Sequence, residues 1–401
     1  MKLWEEIVAA QARIQKAIRQ TPVIYSETFS KETGKAVFLK LENLQKAGSF
    51  KIRGAFNKLS LLPPSSKEKG VVAASAGNHA QGVALASSLL GIRATIVMPE
   101  GASLAKQMAT RSYGGEVILF GQNTDEALKH AEKLVEDGRS FVHPYDDRGI
   151  IAGQGTIGLE ILEDVPDVEA VIVPVGGGGL ISGIAAIIKR RKPRTKIIGV
   201  QSMHVPSAFL SLKRGKRVEV RIKPTLADGI ALRSLGEINF PIVQKYVDDI
   251  VTVKEEEIAS AILMLMERKR VVAEGAGAVP LAALLSKKHQ IAAKKVVLVI
   301  SGGNIDVNVL DRIIEKGLSE TGRIVRFGVL VRDVPGPLAQ LSGLVAENHA
   351  NILHVIHERA SRDIPIGLTK VIMVLETRGH DHIRKIQNIL KGTGYPIQMM
   401  S

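Results

Sequence analysis

AVIVPVGGGGLISGIAAII, residues 170–188, carries no charged side chain. Its length and apolarity suit a bilayer span, but Pro174 and the four glycines at 176–179 interrupt any continuous helix, because proline lacks the N–H donor and glycine disfavours helix. The stretch reads instead as a strand (AVIVPV), a glycine loop and a helix from Leu180 onward. A strand without polar alternation is buried on both faces, which implies a parallel sheet covered by helices.

The same alternation recurs on both sides of it. VFLKLE (37–42), GVVAAS (70–75), ATIVMP (94–99), GEVILF (115–120), KIIGVQ (196–201) and KVVLVI (295–300) read as strands, with segments such as HAQGVALASSLLG and DEALKHAEKLVEDG of helical spacing between them. This predicts an α/β fold with parallel sheets. After Val309 the text becomes polar, and from Arg323 it reads strand, helix, strand, strand, helix, strand, a ferredoxin-like βαββαβ unit of about eighty residues. The expected domains are 1–318 and 319–401.

The 401 residues include 54 Lys and Arg against 40 Asp and Glu, a formal charge of +14. The basic residues are scattered rather than striped with aromatics, so nucleic acid is not the expected partner. The one cluster, KRRKPR (189–194), reads as a solvated helix end. Absence of cysteine excludes disulfides, thiolate metal sites and cysteine nucleophiles, and makes a cytoplasmic protein the expectation. The N-terminus has amphipathic spacing at Leu3, Ile7, Val8, Ile14 and Ile18 without a signal-peptide apolar core, and no membrane partner is expected.

Four segments carry chemistry, each at a strand end or helix start, where α/β sheets bind ligands. GSFKIRGAF (48–56) sets Lys51 in a stretch too apolar for a surface loop and too glycine-bracketed for ordinary helix. A buried lysine is costly unpaired, so it either snorkels to water or reacts. SAGNHAQG (75–82) offers backbone amides and Asn78 to an anion or a ring hydroxyl. PVGGGGLISG (174–183) removes side chains where several N–H groups can surround one phosphate. It fails the dinucleotide Gly-x-Gly-x-x-Gly pattern in every register, and no Lys-Ser or Lys-Thr follows as in a P-loop. SGGN (301–304) places the Ser301 hydroxyl at the top of a buried strand. Together a reactive lysine, an asparagine, a hydroxyl and a single-phosphate cradle are the parts that hold pyridoxal 5'-phosphate as a lysine Schiff base.

ENLQKAGSFKIRGA, SAGNHAQGVA, HPYDDRGIIAGQGTIGLEI, VPVGGGG and ISGGN, in that order from about Ile14 to Val309, resemble the fold-type II pyridoxal-phosphate enzymes, specifically the threonine dehydratase (threonine ammonia-lyase) family. The resemblance implies a two-lobed, tryptophan synthase β-like catalytic domain, with a small lobe of about residues 50–150 inserted in the large one. It implies that Lys51 holds the cofactor and later takes the substrate α-proton, that Phe50 packs beside the ring and that Asn78 bonds the ring hydroxyl. Gly176, Gly177, Gly178, Gly179 and Leu180 would wrap the phosphate, and Ser301 would meet the pyridine nitrogen. The amides of Ser75, Ala76, Gly77, Asn78 and His79 would take the substrate carboxylate. The activity implied is deamination of L-threonine to 2-oxobutanoate and ammonia, and of L-serine to pyruvate, in isoleucine biosynthesis or threonine catabolism. The tail resembles an ACT domain through Asp333, Pro335, Gly336 and Leu338, which implies homodimers or homotetramers and an effector amino acid, isoleucine or valine; a dimerisation module without a ligand stays open.

Three other readings stay open. Serine racemases share the scaffold, but racemisation needs an acid/base on the face opposite the lysine, and those enzymes carry a second serine where this chain has Ala76. A cysteine-synthase-like β-replacing transferase would need a sulfide acceptor, and an amino-acid sensor would have an inert catalytic domain. No metal site is expected: Gln201 and Ser207 stand where related enzymes place acidic ligands to a divalent cation. His349, His354, His357, His380 and His382 read as solvated faces, and His79 as packing or amide contact. Asp228 and Glu274 read equally as ring-pocket residues or as a helix cap and an ion-pair partner. The two glycines, Gly48 and Gly54, are expected to let a loop carry Lys51 to a flat ring.

Overall fold

The computed structural model describes residues 2–286, 291–359, 364–395 and 397–400. The chain forms two compact units, Met1–Asp306 and Val307–Ser401. Strands of the first unit are β1 (Val23–Tyr25), β2 (Ala36–Leu41), β3 (Val71–Ala74), β4 (Ala94–Met98), β5 (Glu116–Leu119), β6 (Ser140–Phe141), β7 (Ala170–Pro174), β8 (Lys196–Ser202), β9 (Asp249–Val253) and β10 (Lys295–Ile300). They form a six-stranded sheet in the order β1-β2-β10-β7-β8-β9 and a four-stranded sheet in the order β5-β4-β3-β6. All pairings are parallel except β1 with β2.

The apolar runs behave as expected: every residue of β3, β4 and β7 is buried. Three strands fall outside the runs read from sequence. β6 has two residues and β1 three, too short for a pattern, and β9 (DIVTV) mixes polar with apolar positions at the sheet edge. The N-terminal helix Leu3–Ile14 buries Ile7, Ala10 and Ile14. Val8, 40% exposed, stands outside that face although its spacing placed it there. In the 189–194 cluster, Lys189 pairs with Asp248 at 2.7 Å, and the Arg190 guanidinium lies 5.1 Å from the Trp4 ring centre.

GSFKIRGAF departs from the loop expectation. Lys51 is the first residue of a helix, Lys51–Ser60, with Gly54 inside it. A Cβ at Gly54 would lie 2.4 Å from Gln154 Nε2 and 2.8 Å from the Ile150 carbonyl, and one at Gly153 would lie 2.5 Å from the Arg53 carbonyl. Gly54 therefore sets a close crossing with the helix Arg148–Asp164 rather than loop freedom. Gly48 does turn the chain, at φ +68, and its missing Cβ leaves room for Asn304.

Beneath the Lys51 helix lies a buried ion cluster. Arg53 donates to Glu42 and Glu160, and the Lys40 ammonium also reaches Glu160, all four side chains being at most 3% exposed. The Arg53 guanidinium holds the Glu42 carboxyl below its ordinary range, against the opposing effect of burial. Two cations and two anions balance, which is the condition under which such a group is tolerated in a core.

The second unit has the antiparallel order β12-β13-β11-β14, from β11 (Ile324–Arg332), β12 (Asn351–Glu358), β13 (Leu368–Glu376) and β14 (Ile397–Met400). With the helices Pro337–Glu347 and His380–Gly392 inserted after β11 and β13, this is the expected βαββαβ unit. A core of Phe327, Val329, Leu341, Val345, Met373 and Ile386 fills it. His382 is tied down, accepting from the Arg378 amide at 3.1 Å and meeting the Asn348 carbonyl at 2.7 Å, whereas His354 and His357 stand exposed on β12.

Candidate active site

A cavity of about 320 Å³ opens at the carboxyl ends of β3, β7 and β10, the place where a parallel sheet presents ligand sites. Each expected segment of the first unit reaches it: Phe50 and Lys51, Ser75 to His79, Gly176 to Leu180, and Ser301 all line the wall.

Lys51 is held by its helix start and by one acceptor. Its ammonium donates to the Pro144 carbonyl at 2.8 Å and lies 5.3 Å from the Phe50 ring centre. Burial lowers its pKa from 10.5 to about 8, and the charge of Glu274 works in the other direction. The strand β10 is keyed to this segment: Phe50 N donates to the Ser301 carbonyl at 3.1 Å and Gly303 N to the Gly48 carbonyl at 2.9 Å. Ser301 itself is 2% exposed.

Two helices point their amino ends at the cavity. Asn78–Leu90 begins within the SAGNHAQG turn, and Gly179–Arg191 begins within the glycine run. Their unpaired N–H groups and positive dipole ends favour anions. Asn78 is oriented on both sides: its Nδ2 donates to Glu274 at 2.7 and 3.0 Å, and its Oδ1 accepts from Asn304 at 2.7 Å. Glu274, 5% exposed, is raised by burial from 4.5 to about 7, with Asn78 opposing the shift. At neutral pH it therefore stands near its own titration, and Asn78 joins it to the cavity wall. Asp228 lies at the mouth, paired with Lys106 at 3.3 Å. His79 is buried against the Val142 carbonyl at 2.8 Å and lowered to about 3 by burial, so it is neutral. Gln201 binds Val175, Ala208 and Phe209 backbone atoms, an internal structural role.

The glycine run is tighter than phosphate access alone requires. A Cβ on Gly177 would fall 2.2 Å from Tyr145 Cδ2, one on Gly179 would fall 2.8 Å from the Tyr145 carbonyl, and Gly178 has φ +97 with Asn239 at 2.9 Å. The loop is thus pressed between protein and cavity, and only glycine fits on both counts. Tyr145 lines the cavity and was not singled out from sequence. Its signal was present in HPYDDRG, between a strand and a helix.

These features fit the expected cofactor. A lysine with a lowered pKa beside apolar surface, a side-chain-free cradle at a helix start and an oriented asparagine are what a phosphate-bearing carbonyl compound requires. In the second unit, Gly336 at φ +114 precedes the helix Pro337–Glu347, Asp333 accepts from Arg359 at 3.0 Å, and Leu338 is 37% exposed. Among the described residues no helix is long and apolar enough to cross a membrane.

Residues 14–302 match the family described as pyridoxal-phosphate dependent enzymes. The L-threonine ammonia-lyase of Thermotoga maritima is 53% identical over 397 residues, spanning 99% of both chains. Among solved structures, a processed threonine deaminase isoform from Solanum lycopersicum is similar at TM-score 0.75 and 41% identity, over 78% of this chain and 87% of that one. A maize serine racemase is similar at TM-score 0.75 and 37% identity, over 79% of this chain and 98% of that one.

Proposed function

The chain belongs to the pyridoxal-phosphate-dependent enzyme family, and on that premise we propose that it deaminates L-threonine to 2-oxobutanoate and ammonia by β-elimination of water, with L-serine giving pyruvate. The observation that carries the site assignment is Lys51: a lysine at a helix start, lowered to about 8, facing a glycine cradle and an oriented Asn78 across one cavity.

Pyridoxal phosphate, when bound, supplies the electron sink for the charge left on the substrate. The rest is done by the chain. Lys51 Nζ would hold the cofactor and, as a neutral amine, take the substrate α-proton; its lowered pKa supplies that neutral form. The amides of Gly176 to Leu180 take the phosphate, and those of Ser75 to His79 take the substrate carboxylate. Asn78, its orientation fixed by Glu274 and Asn304, would face the ring hydroxyl. Ser301 would face the ring nitrogen with a neutral hydroxyl, which would not hold that nitrogen protonated as a carboxylate does. The β-hydroxyl would leave with a proton as water, which balances the α-proton taken by Lys51.

Residues 319–401 we assign to an ACT-like regulatory domain that binds isoleucine or valine near Asp333, Pro335, Gly336 and Leu338, in a cytoplasmic homodimer or homotetramer. The likeness to a racemase keeps that isomerase as the second reading, which Ala76 opposes because it has no proton to give. One assay separates them: purified protein, pyridoxal phosphate and L-threonine or L-serine, followed for 2-oxo acid and for serine chirality. Absence of 2-oxo acid from both substrates would overturn the lyase assignment. In Lys51→Ala turnover should fall by at least about a thousandfold, the scale of a lost base and covalent anchor. Repeating the assay with isoleucine and valine tests the regulatory assignment.

A further inference from the structure

The turn that follows β6 does two things at once. Pro144 supplies the carbonyl that holds the Lys51 ammonium, and Tyr145 is the wall against which Gly177 and Gly179 are pressed. The next residue, Asp146, reaches to a segment more than ninety positions away. Its Oδ2 accepts from Glu237 N at 2.8 Å, and its Oδ1 accepts from Ile238 N at 3.0 Å, Asn239 N at 3.3 Å and Asn239 Nδ2 at 3.0 Å. Those amides lead into the helix Asn239–Tyr246, where no intrahelical partner exists for them. Asn239 Nδ2 also donates to the Tyr145 carbonyl at 3.0 Å.

The anchored segment then grips the glycine loop from behind. Gly236 N donates to the Gly177 carbonyl at 3.0 Å, and Asn239 and Leu235 side chains would lie 2.9 and 3.0 Å from a Cβ on Gly178. Gly236 has no room either, since its Cβ would fall 2.2 Å from Asp146 Oδ1. His143 shapes the same turn, its Nδ1 accepting from Tyr145 N at 3.2 Å and Asp146 N at 2.7 Å.

We propose that Asp146 is a positioning residue for the phosphate cradle: by fixing Gly236 to Asn239 it sets the placement of Gly177 and Gly178, and its turn ties that placement to Lys51. This rests on the assignment of Gly176 to Leu180 as the cradle. A carboxylate suits the task, since charge-assisted bonds to several amides are the strong ones, and neither an amide nor a hydroxyl has as many acceptor sites.

The test compares the cofactor-free protein's affinity for pyridoxal phosphate with that for pyridoxal, which lacks the phosphate, by titration at constant pH. Thermal midpoints of the same samples report folding. In Asp146→Ala the dissociation constant for pyridoxal phosphate should rise about tenfold or more, while that for pyridoxal changes less than about threefold. Asp146→Asn, retaining one acceptor oxygen, should fall between. Gly236→Ala, which displaces the same contact without removing a charge, should reproduce the loss of phosphate preference even where Asp146→Ala folds poorly. Equal weakening for both compounds, or an unchanged ratio in Asp146→Asn and Gly236→Ala, would overturn the positioning role and leave the cradle assignment standing. A wild-type protein that does not distinguish the two compounds would instead overturn the cradle assignment and this proposal with it.

Discussion

The lowered pKa of Lys51 is open to direct measurement in the protein without cofactor. With a value of about 8 in place of 10.5, the neutral fraction at pH 7 is about 10% rather than about 0.03%, a gain of roughly 300-fold. Trace acetylation with acetic anhydride, read by mass spectrometry on the peptide containing Lys51, follows that fraction against pH. Labelling should rise about tenfold per unit up to pH 7 and level off above a midpoint near 8, whereas lysine in a short unstructured peptide continues to rise beyond pH 9. Glu274→Gln sharpens the test. Burial is the main cause of the shift and the Glu274 charge opposes it, so removing that charge should move the Lys51 midpoint to lower pH. A wild-type midpoint at the ordinary 10.5 would refute desolvation as the source of a lowered value, and an upward movement in Glu274→Gln would refute the opposing role of the Glu274 charge.

Burial also gives Glu274 a stability consequence, through a shift in the opposite direction. Its folded value of about 7 lies above the ordinary 4.5, so the folded state retains a proton that the unfolded chain has lost, and stability falls as pH rises from about 4.5 to about 7, by on the order of 3 kcal/mol. Glu274→Gln keeps an acceptor for Asn78 and should therefore raise the melting temperature of the cofactor-free protein at pH 8 and leave it little changed at pH 4.5. In the buried cluster, Glu160→Gln leaves Lys40 and Arg53 facing Glu42 alone, and urea unfolding should report a loss of about 3–5 kcal/mol, part of which Lys40→Met should restore by rebalancing charge. Ala76→Ser places a hydroxyl on the cavity wall, and chiral chromatography of reactions with L-serine should then detect D-serine above the wild-type level.

Much of this fold was legible because burial on both faces leaves an unmistakable text: β3 and β7 are unbroken apolar runs, and β4 and β10 depart from one only at Thr95 and Lys295. β9 was missed because an edge strand keeps polar residues, and β1 and β6 because so few residues carry no period. The glycines show a different limit. Their type announced close approach, but not what approaches: at Gly54 it is a neighbouring helix, at Gly48 it is Asn304, and at Gly177 it is Tyr145. A missing Cβ has the same spelling in each case, and only coordinates assign the neighbour.

The same distinction separates the groups that touch the cavity from those that hold them. Lys51, Asn78 and Ser301 were readable because their chemistry is unusual for where they sit, in glycine-flanked segments at strand ends. Their supports have ordinary spellings and lie far along the chain: Glu274 is 196 residues from Asn78, Asn304 is 226 from it, and Asn239 is 93 from Asp146. Such pairs leave no local pattern, since neither partner's residue type is uncommon in a turn or at a helix start. They nevertheless decide function. A free Asn78 could flip its amide, and the Glu274 carboxyl on one side with the Asn304 amide on the other removes that choice. The candidate groups of this site are therefore readable by what they are, and their precision has to be sought in what binds them from across the chain.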